Sequence, residues 1–301
     1  MRRLSISLLL LALSPLANPC EAGGKDKKTP AKEDKKDYLF VVPPAGGKEV
    51  KLVDWRFTLG TRKFSLSETP GPEYLEIREE KSTTYRNGIL TLIPLNSVKK
   101  ITYDRAKKGI AVIALQANGD ETTLVGHTKF TSNKITIEAD AILDGLGSAT
   151  VKFNGGTDKG LHSVIFPAPK PAAKVEGAQA TVIADDKEKS QHPAYDIQAL
   201  YLTNGQYRVL PYIMFKKTVK VDLAKLAGLR YVPPVDKKKA SSDYEITLKD
   251  GAKHTLSLLT TIAVDKKKMT FVGLVGRVPV GYRLFMLDAI YEYRAAEEKK
   301  E

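Results

Sequence analysis

The sequence predicts an all-β protein made of two antiparallel β domains of sandwich or barrel type, with at most one or two short helices. In residues 53–59, apolar side chains alternate with polar ones, which is the period of a half-buried strand, and similar runs follow along the chain. Asn-Gly pairs at 87–88, 118–119 and 154–155 supply the positive φ angles that tight hairpins need. No long helical period lies between these runs, so short strands joined by turns are the expected architecture.

The predicted strands form two sets. After the strand at 53–59, the first set continues with YLEI (74–77), ILTLIPL (89–95), VKKITYD (98–104), IAVIAL (110–115), TTLVG (122–126), ITIEA (135–139), ATVKF (149–153) and HSVIF (162–166). The second set consists of YDIQALYL (195–202), QYRVLPYIMF (206–215), YEITL (244–248), HTLSLL (254–259), TTIAV (260–264), MTFVGLVG (269–276) and YRLFML (282–287). One short helix is predicted at 222–228, where Asp222 can cap the first turn and Gly228 can end the last. From Asp288 the pattern fits either a strand or a charged helix.

Composition divides the chain into six segments. They are a signal peptide (1–22), a lysine-rich flexible tether (23–48), a first β domain (49–167), a linker (168–194), a second β domain (195–294) and a charged tail (295–301). The tether lacks a sustained apolar period apart from YLFVV at 38–42. The linker is rich in proline and alanine and has room for one short strand at 180–184.

The N-terminal segment has the order of residues that is typical of a secretory signal peptide. Two arginines precede an apolar run at 4–13, and small residues follow up to Ala22. The run is about half the ~20 apolar residues that a membrane-spanning helix needs. We therefore expect cleavage after Ala22, no transmembrane anchor afterwards, and export to the periplasm, the cell envelope or the exterior. Lipidation of Cys20 is an alternative, although asparagine and proline precede it where small residues are expected.

Charge and cysteine content limit the partners and the means of stabilisation. Cys20 is the only cysteine, so an exported mature chain has no disulfide and depends on its core. The formal net charge of +13 comes largely from lysine-rich segments such as 23–37, 236–243 and 265–269. We interpret most of this charge as a solubilising surface, and a basic balance also attracts anionic polymers. The expected partner is an anionic envelope polymer or an envelope protein, and we do not expect nucleic acid. The sequence leaves the oligomeric state open.

Two pairs of segments in the two halves are similar to each other. Residues 93–104 resemble 210–222, and residues 113–124 resemble 246–256, in the same order. This order suggests a duplicated β unit, although hairpin-rich chains also produce such patterns by chance.

A further resemblance concerns the first predicted domain. The segments YLEIREEKSTTYRNGILTLIPLNSVKKITYD (74–104) and HTKFTSNKITIEAD (127–140) resemble sequences of uncharacterised exported bacterial proteins. The resemblance covers about residues 55–167. It implies that this domain is a genuine family unit, and it implies no activity.

The sequence predicts no catalytic residue, metal site or cofactor. Four histidines stand at His127, His162, His192 and His254. None of them has the spacing of a local metal clamp, and no GxSxG nucleophile motif is present. Glu138 and Asp140 would share one face of a strand, as a glycosidase pair could, but a solvent-facing pair is the simpler interpretation.

We therefore expect an exported, non-catalytic binding or scaffolding protein associated with the cell envelope. The alternatives are a hydrolase of envelope glycan, with Glu138 and Asp140 as its carboxylates, and a structural subunit of an envelope assembly. The expected binding surface lies in the second domain, because tyrosines beside lysines on a sheet can stack sugars and hold anionic groups. Its residues are Tyr207, Tyr212, Lys216, Lys217 and Lys220.

Overall fold

The fold is known for most of the chain after residue 37. The computed structural model describes residues 38–42, 48–58, 74–78, 88–104, 109–127, 136–143, 146–154, 162–234 and 242–296. Within these residues all strand pairs are antiparallel, and the helices are four 3-10 helices of three residues each. The all-β prediction is confirmed, and the short helices are more numerous than predicted. The predicted signal peptide and Cys20 lie outside the described residues.

The strands are numbered along the chain. The first ten are β1 Leu39–Val42, β2 Val50–Thr58, β3 Tyr74–Arg78, β4 Ile89–Pro94, β5 Val98–Asp104, β6 Gly109–Leu115, β7 Glu121–His127, β8 Thr136–Leu143, β9 Gly147–Asn154 and β10 Ser163–Ile165. The remainder are β11 Gln179–Ala184, β12 Gln191–Thr203, β13 Gln206–Leu210, β14 Tyr212–Phe215, β15 Val219–Asp222, β16 Leu226–Tyr231, β17 Asp243–Leu248, β18 Lys253–Ser257, β19 Thr261–Val264, β20 Lys267–Val278, β21 Gly281–Met286 and β22 Ile290–Ala295.

The described strands form two large sheets and one hairpin. The first sheet has eight strands in the order β7-β6-β5-β10-β1-β2-β8-β9. The second sheet has twelve, of which ten follow the order β18-β17-β16-β22-β11-β12-β20-β21-β4-β3, with β13 paired to β12 and β19 paired to β20. Strands β14 and β15 form a separate two-stranded sheet. These sheets confirm the predicted antiparallel architecture.

Three corners of the same form join strands through 3-10 helices. They are Leu95–Ser97 between β4 and β5, Leu223–Lys225 between β15 and β16, and Leu287–Ala289 between β21 and β22, which we call the first, second and third corners. In each corner, the strand residue after the helix donates its backbone N–H to the carbonyl of the leading leucine. A β-bulge follows in each case, at Lys99, Ala227 and Tyr291. A bulge of this kind increases the local bend of a strand.

The helix predicted at 222–228 is reduced to the second corner. Asp222 caps it as expected, because its carboxylate accepts the backbone N–H of Ala224 at 2.9 Å. The helix ends after Lys225, since Leu226 enters the core as the first residue of β16. Gly228 lies inside that strand and does not end the helix. Beyond the third corner, β22 confirms the strand alternative for the segment that follows Asp288.

Strand β4 contributes to three hydrophobic cores. The first core includes Leu39, Leu52, Ile77, Ile93, Ile101 and Val164; the second includes Ile89, Tyr201, Phe215, Leu229, Tyr244 and Phe285; the third includes Leu90, Leu92, Leu200, Tyr207, Val275 and Leu284. Side chains of β4 alternate between the third core and the other two, so the strand is buried on both faces. That double burial accounts for the nearly continuous apolar run ILTLI in its sequence.

Strands cross the predicted domain boundary. Strands β3 and β4, predicted in the first domain, join the second sheet through β21. Val280, in the turn between β20 and β21, belongs to the first core, and the N–H of Ala117 donates to the carbonyl of Pro279 at 2.9 Å. The described residues from Tyr38 onward thus form one compact unit. The predicted linker therefore does not separate one sheet from another.

Two of the predicted connecting segments contain strands. Strand β1 lies within the predicted tether 23–48, between β10 and β2, and Leu39 and Val41 are fully buried. The tether prediction does not hold for 38–42, because the run YLFVV buries apolar side chains in the middle of a sheet. Within the predicted linker, β11 appears where a short strand was expected, and β12 begins at Gln191.

Candidate functional site

The basic hairpin is the exposed hairpin of β14 and β15 together with its tip, residues 212–222. Ile213, Phe215 and Val221 face the second core. Because side chains alternate along a strand, Tyr212 and Lys220 lie on the opposite face. They are diagonal neighbours across the ladder, and the Lys220 Nζ lies 4.0 Å from the centroid of the Tyr212 ring. This cation–π contact holds the ammonium group against the tyrosine face.

The tip of the basic hairpin has an unfavourable backbone conformation. Lys217 and Thr218 have φ angles of 61° and 58°, in the left-handed region. For residues with a Cβ this region costs about 1 kcal/mol or more each. The hairpin between β12 and β13 makes its turn with Asn204 and Gly205 instead, which tolerate positive φ.

The hairpin between β19 and β20 has the same left-handed pair at Asp265 and Lys266, so strain alone does not mark a binding site. The contact of Lys220 with Tyr212 is what distinguishes the exposed lysines of the basic hairpin.

Four of the five predicted binding residues lie on this hairpin, and one does not. Tyr212, Lys216, Lys217 and Lys220 belong to it, and the three lysines are exposed. Tyr207 is only 8% exposed; it lies in β13 opposite Leu202 and packs into the third core. Its assignment to the binding surface does not fit this position, because β13 and β14 belong to different sheets. Sequence spacing alone could not show that separation.

A cleft lies on the second sheet, near the third corner. This acidic cleft has a volume of about 330 Å³ and is lined by Asp185, Tyr231, Tyr244, Leu258, Leu287 and Asp288, among others. Sequence reasoning missed it, because its residues come from segments that are far apart in the chain. In its local sequence, each of these residues looks like an ordinary strand or surface residue.

Asp186, Ser190 and His192 form a polar network in which the hydrogen bond between serine and histidine has the opposite direction to that in a serine hydrolase. The Asp186 carboxylate can only accept, so the Ser190 hydroxyl gives its single proton to Asp186 and offers only lone pairs to His192. Nε2 then donates to the Ser190 hydroxyl at 2.9 Å, and that hydroxyl donates to Asp186. A catalytic histidine must instead accept the serine proton. Asp186 also accepts the N–H groups of Glu188 and Ser190, so the network closes the turn between β11 and β12.

Glu138 and Asp140 lie on one outward face of β8, as predicted. Glu138 makes an ion pair with Lys152 across the ladder to β9, and Asp140 accepts a hydrogen bond from Thr150 at 2.8 Å. The hydrogen bond and charge of Lys152, with a smaller contribution from Arg56, lower the pKa of Glu138. A glycosidase acid needs a raised pKa, so this pair has the electrostatics of an ordinary surface ion pair.

The described part of the chain holds neither a cluster of metal ligands nor a helix that could span a membrane. No group of three or more His, Cys, Asp or Glu side chains there could hold a metal ion. His162 and His254 are exposed. None of the helices in the same residues is long and apolar enough to cross a membrane.

No protein-family model, curated protein or solved structure matches the chain. The signal peptide, the lipidation alternative at Cys20 and the resemblance over residues 55–167 therefore stay predictions from sequence. Among the described residues, the basic hairpin and the acidic cleft are surface features whose geometry suggests ligand binding.

Proposed function

We propose that the protein is exported and acts as a non-catalytic binding or scaffolding protein of the cell envelope, with the basic hairpin as its contact surface for an anionic polymer. The observation that carries this proposal is the group of three exposed lysines around a strained tip, one of them stacked on Tyr212. Export rests on the order of charged, apolar and small residues in 1–22.

The chemistry of the hairpin suits a repeating anionic ligand. Lys216, Lys217 and Lys220 are within a few residues of one another on a two-stranded element, so neighbouring charges of one polymer can meet all three. Interactions between exposed charges are weakened by salt, with a Debye length of about 10 Å at 0.1 M and about 3 Å at 1 M. The Tyr212 ring adds an apolar face on which a sugar ring can stack.

The inner face of the hairpin gives this surface a fixed position. Phe215 is fully buried and forms an isolated bridge with Leu258, and the carbonyl of Met214 accepts the N–H of Leu259 at 3.0 Å. The lysines therefore stand on an element anchored to the second core. Pre-ordered groups lose less conformational entropy on binding than mobile ones do.

Charge reversal at the tip tests the proposal. We expect Lys216→Glu with Lys217→Glu to elute from an anionic polysaccharide column at clearly lower salt than the unaltered protein, with an unchanged thermal unfolding midpoint. The matched control is Lys267→Glu with Lys268→Glu, the same charge change at exposed positions of β20. An equal shift in both variants would show attraction by net charge alone, and no shift in the hairpin variant would refute the assignment.

A further inference from the structure

The acidic cleft brings together residues from five separate parts of the second half of the chain. Tyr231 and Tyr244 are directly opposite each other across β16 and β17, with ring centroids 5.7 Å apart. Asp288 belongs to the third corner, and Asp185, directly after β11, donates its backbone N–H to the carbonyl of Ala289 at 2.8 Å. The cleft therefore stands on backbone held by hydrogen bonds, and two aspartates and two tyrosines line it.

The two carboxylates of the cleft differ in what they already contact. Asp185 makes an ion pair with Lys189, whose Nζ also lies 3.8 Å from the centroid of the Tyr291 ring. Asp288 is exposed and makes no ion pair or side-chain hydrogen bond with the residues that the structure describes. Asp288 is thus the carboxylate that is open to an incoming cation.

Tyr244 provides a second and independent indication of a ligand. Its side chain is only 6% exposed and lines the cleft, yet its hydroxyl makes no hydrogen bond within the described part of the chain. Burial raises the pKa of Tyr244 well above its usual value, with smaller contributions from Tyr231 and Asp288. The phenol therefore stays neutral, and its oxygen can accept a hydrogen bond. The side chain is buried while its hydroxyl keeps no partner of its own among the described residues, so a ligand group that enters the cleft can make a hydrogen bond with it.

We propose that the acidic cleft binds a primary alkylammonium group, with the ammonium between the Asp288 carboxylate and the Tyr244 hydroxyl. Leu258 and Leu287 line the same cleft and offer apolar surface to the methylene chain that carries the ammonium. The aromatic faces of Tyr231 and Tyr244 attract the same cation.

Other ligand classes fit the cleft less well. An anion would meet the carboxylates of Asp185 and Asp288 without a compensating free cation, since Lys189 is already paired. A ligand with hydroxyl groups all round would place some of them against Leu258 and Leu287, where they lose their hydrogen bonds to water. An alkylammonium group, such as a lysine side chain or a free diamine, matches both the charge and the apolar surface.

Calorimetric titration of the full chain with two small probes tests this inference. The probes are 1,5-diaminopentane and the lysine derivative Nα-acetyl-lysine methylamide, and the comparison ligand is the same derivative acetylated on its ε-nitrogen. We expect saturable binding of at least one amine probe and at least tenfold weaker binding of the acetylated compound. Tighter binding of the diamine indicates a small-molecule ligand, and tighter binding of the lysine derivative indicates a side chain on a peptide.

Substitutions in the cleft complete the test. Asp288→Asn is expected to weaken amine binding at least tenfold, and Tyr244→Phe, which keeps the buried ring, is expected to weaken it severalfold. Glu176→Gln is the matched control, because Glu176 is an exposed carboxylate outside the cleft. The affinity of this variant for the amine probes should equal that of the unaltered protein. The inference is overturned if no amine probe binds, if the acetylated compound binds equally, or if Asp288→Asn behaves like the control. None of these outcomes depends on the basic hairpin.

Discussion

Two segments of the chain have the same backbone plan and differ in what covers them. The first unit runs from β4 to β7 and the second from β15 to β18; each is a strand, a corner, a bulged strand and a hairpin. In both, the hairpin turn has the same hydrogen bonds, over residues 116–120 and 248–252. Gly119 and Gly251 occupy the same turn position with φ angles of 89° and 90°.

The structural correspondence also corrects one of the sequence similarities. The pair 113–124 and 246–256 does mark equivalent hairpins, β6–β7 and β17–β18. The segment 93–104, however, corresponds to 221–232 around the second corner, and not to 210–222, which covers the basic hairpin. The twin lysines that the two segments share are therefore not in equivalent positions.

The units differ in the residue that pairs with the tyrosine after the corner and in how far the last strand of the unit is buried. Tyr103 in the first unit and Tyr231 in the second hold the same position after their corners, but Tyr103 pairs with Ile110 and Tyr231 pairs with Tyr244. In the first unit, Gly126 of β7 is buried in close contact with β3, whereas every residue of β18 is exposed or half-buried. The same plan thus gives a closed core in one place and an open cleft in the other.

The largest expected effect comes from disturbing the contact that closes the first unit. A Cβ atom at Gly126 would lie 2.4 Å from Ile77 Cγ2 and 2.6 Å from the carbonyl oxygen of Arg78, so backbone would have to move. We expect Gly126→Ala to lower the free energy of unfolding by about 2–3 kcal/mol, as overpacking typically does. Chemical denaturation monitored by circular dichroism measures the change.

Gly228 in the second unit provides the matched control. A Cβ there would meet the carbonyl oxygen of Tyr293 at 3.6 Å, an ordinary contact, and we expect Gly228→Ala to change the free energy of unfolding by less than about 1 kcal/mol. If the two substitutions have the same effect, the close packing of β7 on β3 does not distinguish the units.

The sequence predicts local features of these units well and long-range ones poorly. Asn118-Gly119 marks the turn of the first unit, because positive φ restricts the residues that fit. A helix of three residues is shorter than one turn of an α-helix, so the first and third corners carry no helical signal, and at the second the cap Asp222 indicates where the helix begins but not where it ends. The pairing of β4 with β21 is likewise invisible, because a buried strand is apolar on both faces whichever neighbour it has.

The candidate sites show the same division between local features, which the sequence predicts, and long-range ones, which it does not. The lysines of the basic hairpin can be found from sequence because they are close together along the chain, whereas Tyr207 is misplaced because the chain changes sheet between β13 and β14. The acidic cleft escapes sequence reasoning because Asp185, Tyr231 and Asp288 meet only through the pairing of β11, β16 and β22. Side chains that converge through non-local strand pairing leave no spacing pattern in the sequence.

A smaller effect, of opposite sign, is expected from the buried tyrosine of the first unit. The Tyr103 hydroxyl is buried without a hydrogen-bond partner among the described residues, and the side chain is only 6% exposed. Tyr103→Phe removes this hydroxyl and keeps the ring, so we expect the free energy of unfolding at neutral pH to rise by up to about 1 kcal/mol. A loss of stability would show that the hydroxyl has a partner.

The contribution of Tyr103 to stability is also expected to depend on pH. Burial raises the pKa of Tyr103 above its unfolded value near 10. A group with a raised pKa contributes stability that is complete below the unfolded pKa and is lost as the pH rises toward the folded pKa. Unfolding of the unaltered protein should therefore become easier above about pH 10, and Tyr103→Phe should reduce that dependence. Denaturant midpoints between pH 8 and pH 11 test the difference.

The smallest effects are expected in the two equivalent hairpin turns. The side-chain oxygen of Asn118 accepts the N–H of Asp120 at 3.0 Å, and that of Asp250 accepts the N–H of Ala252 at the same distance. The Asn118 side chain also donates to the exposed Asp120 carboxylate at 2.6 Å, so the turns are compared in an Asp120→Ala background that removes this extra bond. There we expect Asn118→Ala and Asp250→Ala each to cost about 0.5–1 kcal/mol, and Asp250→Asn, which keeps the acceptor, to cost less. Equal costs follow if the turn is an independent local device, whereas a severalfold larger cost for Asn118→Ala would mean that closure by β3 strengthens the whole first unit.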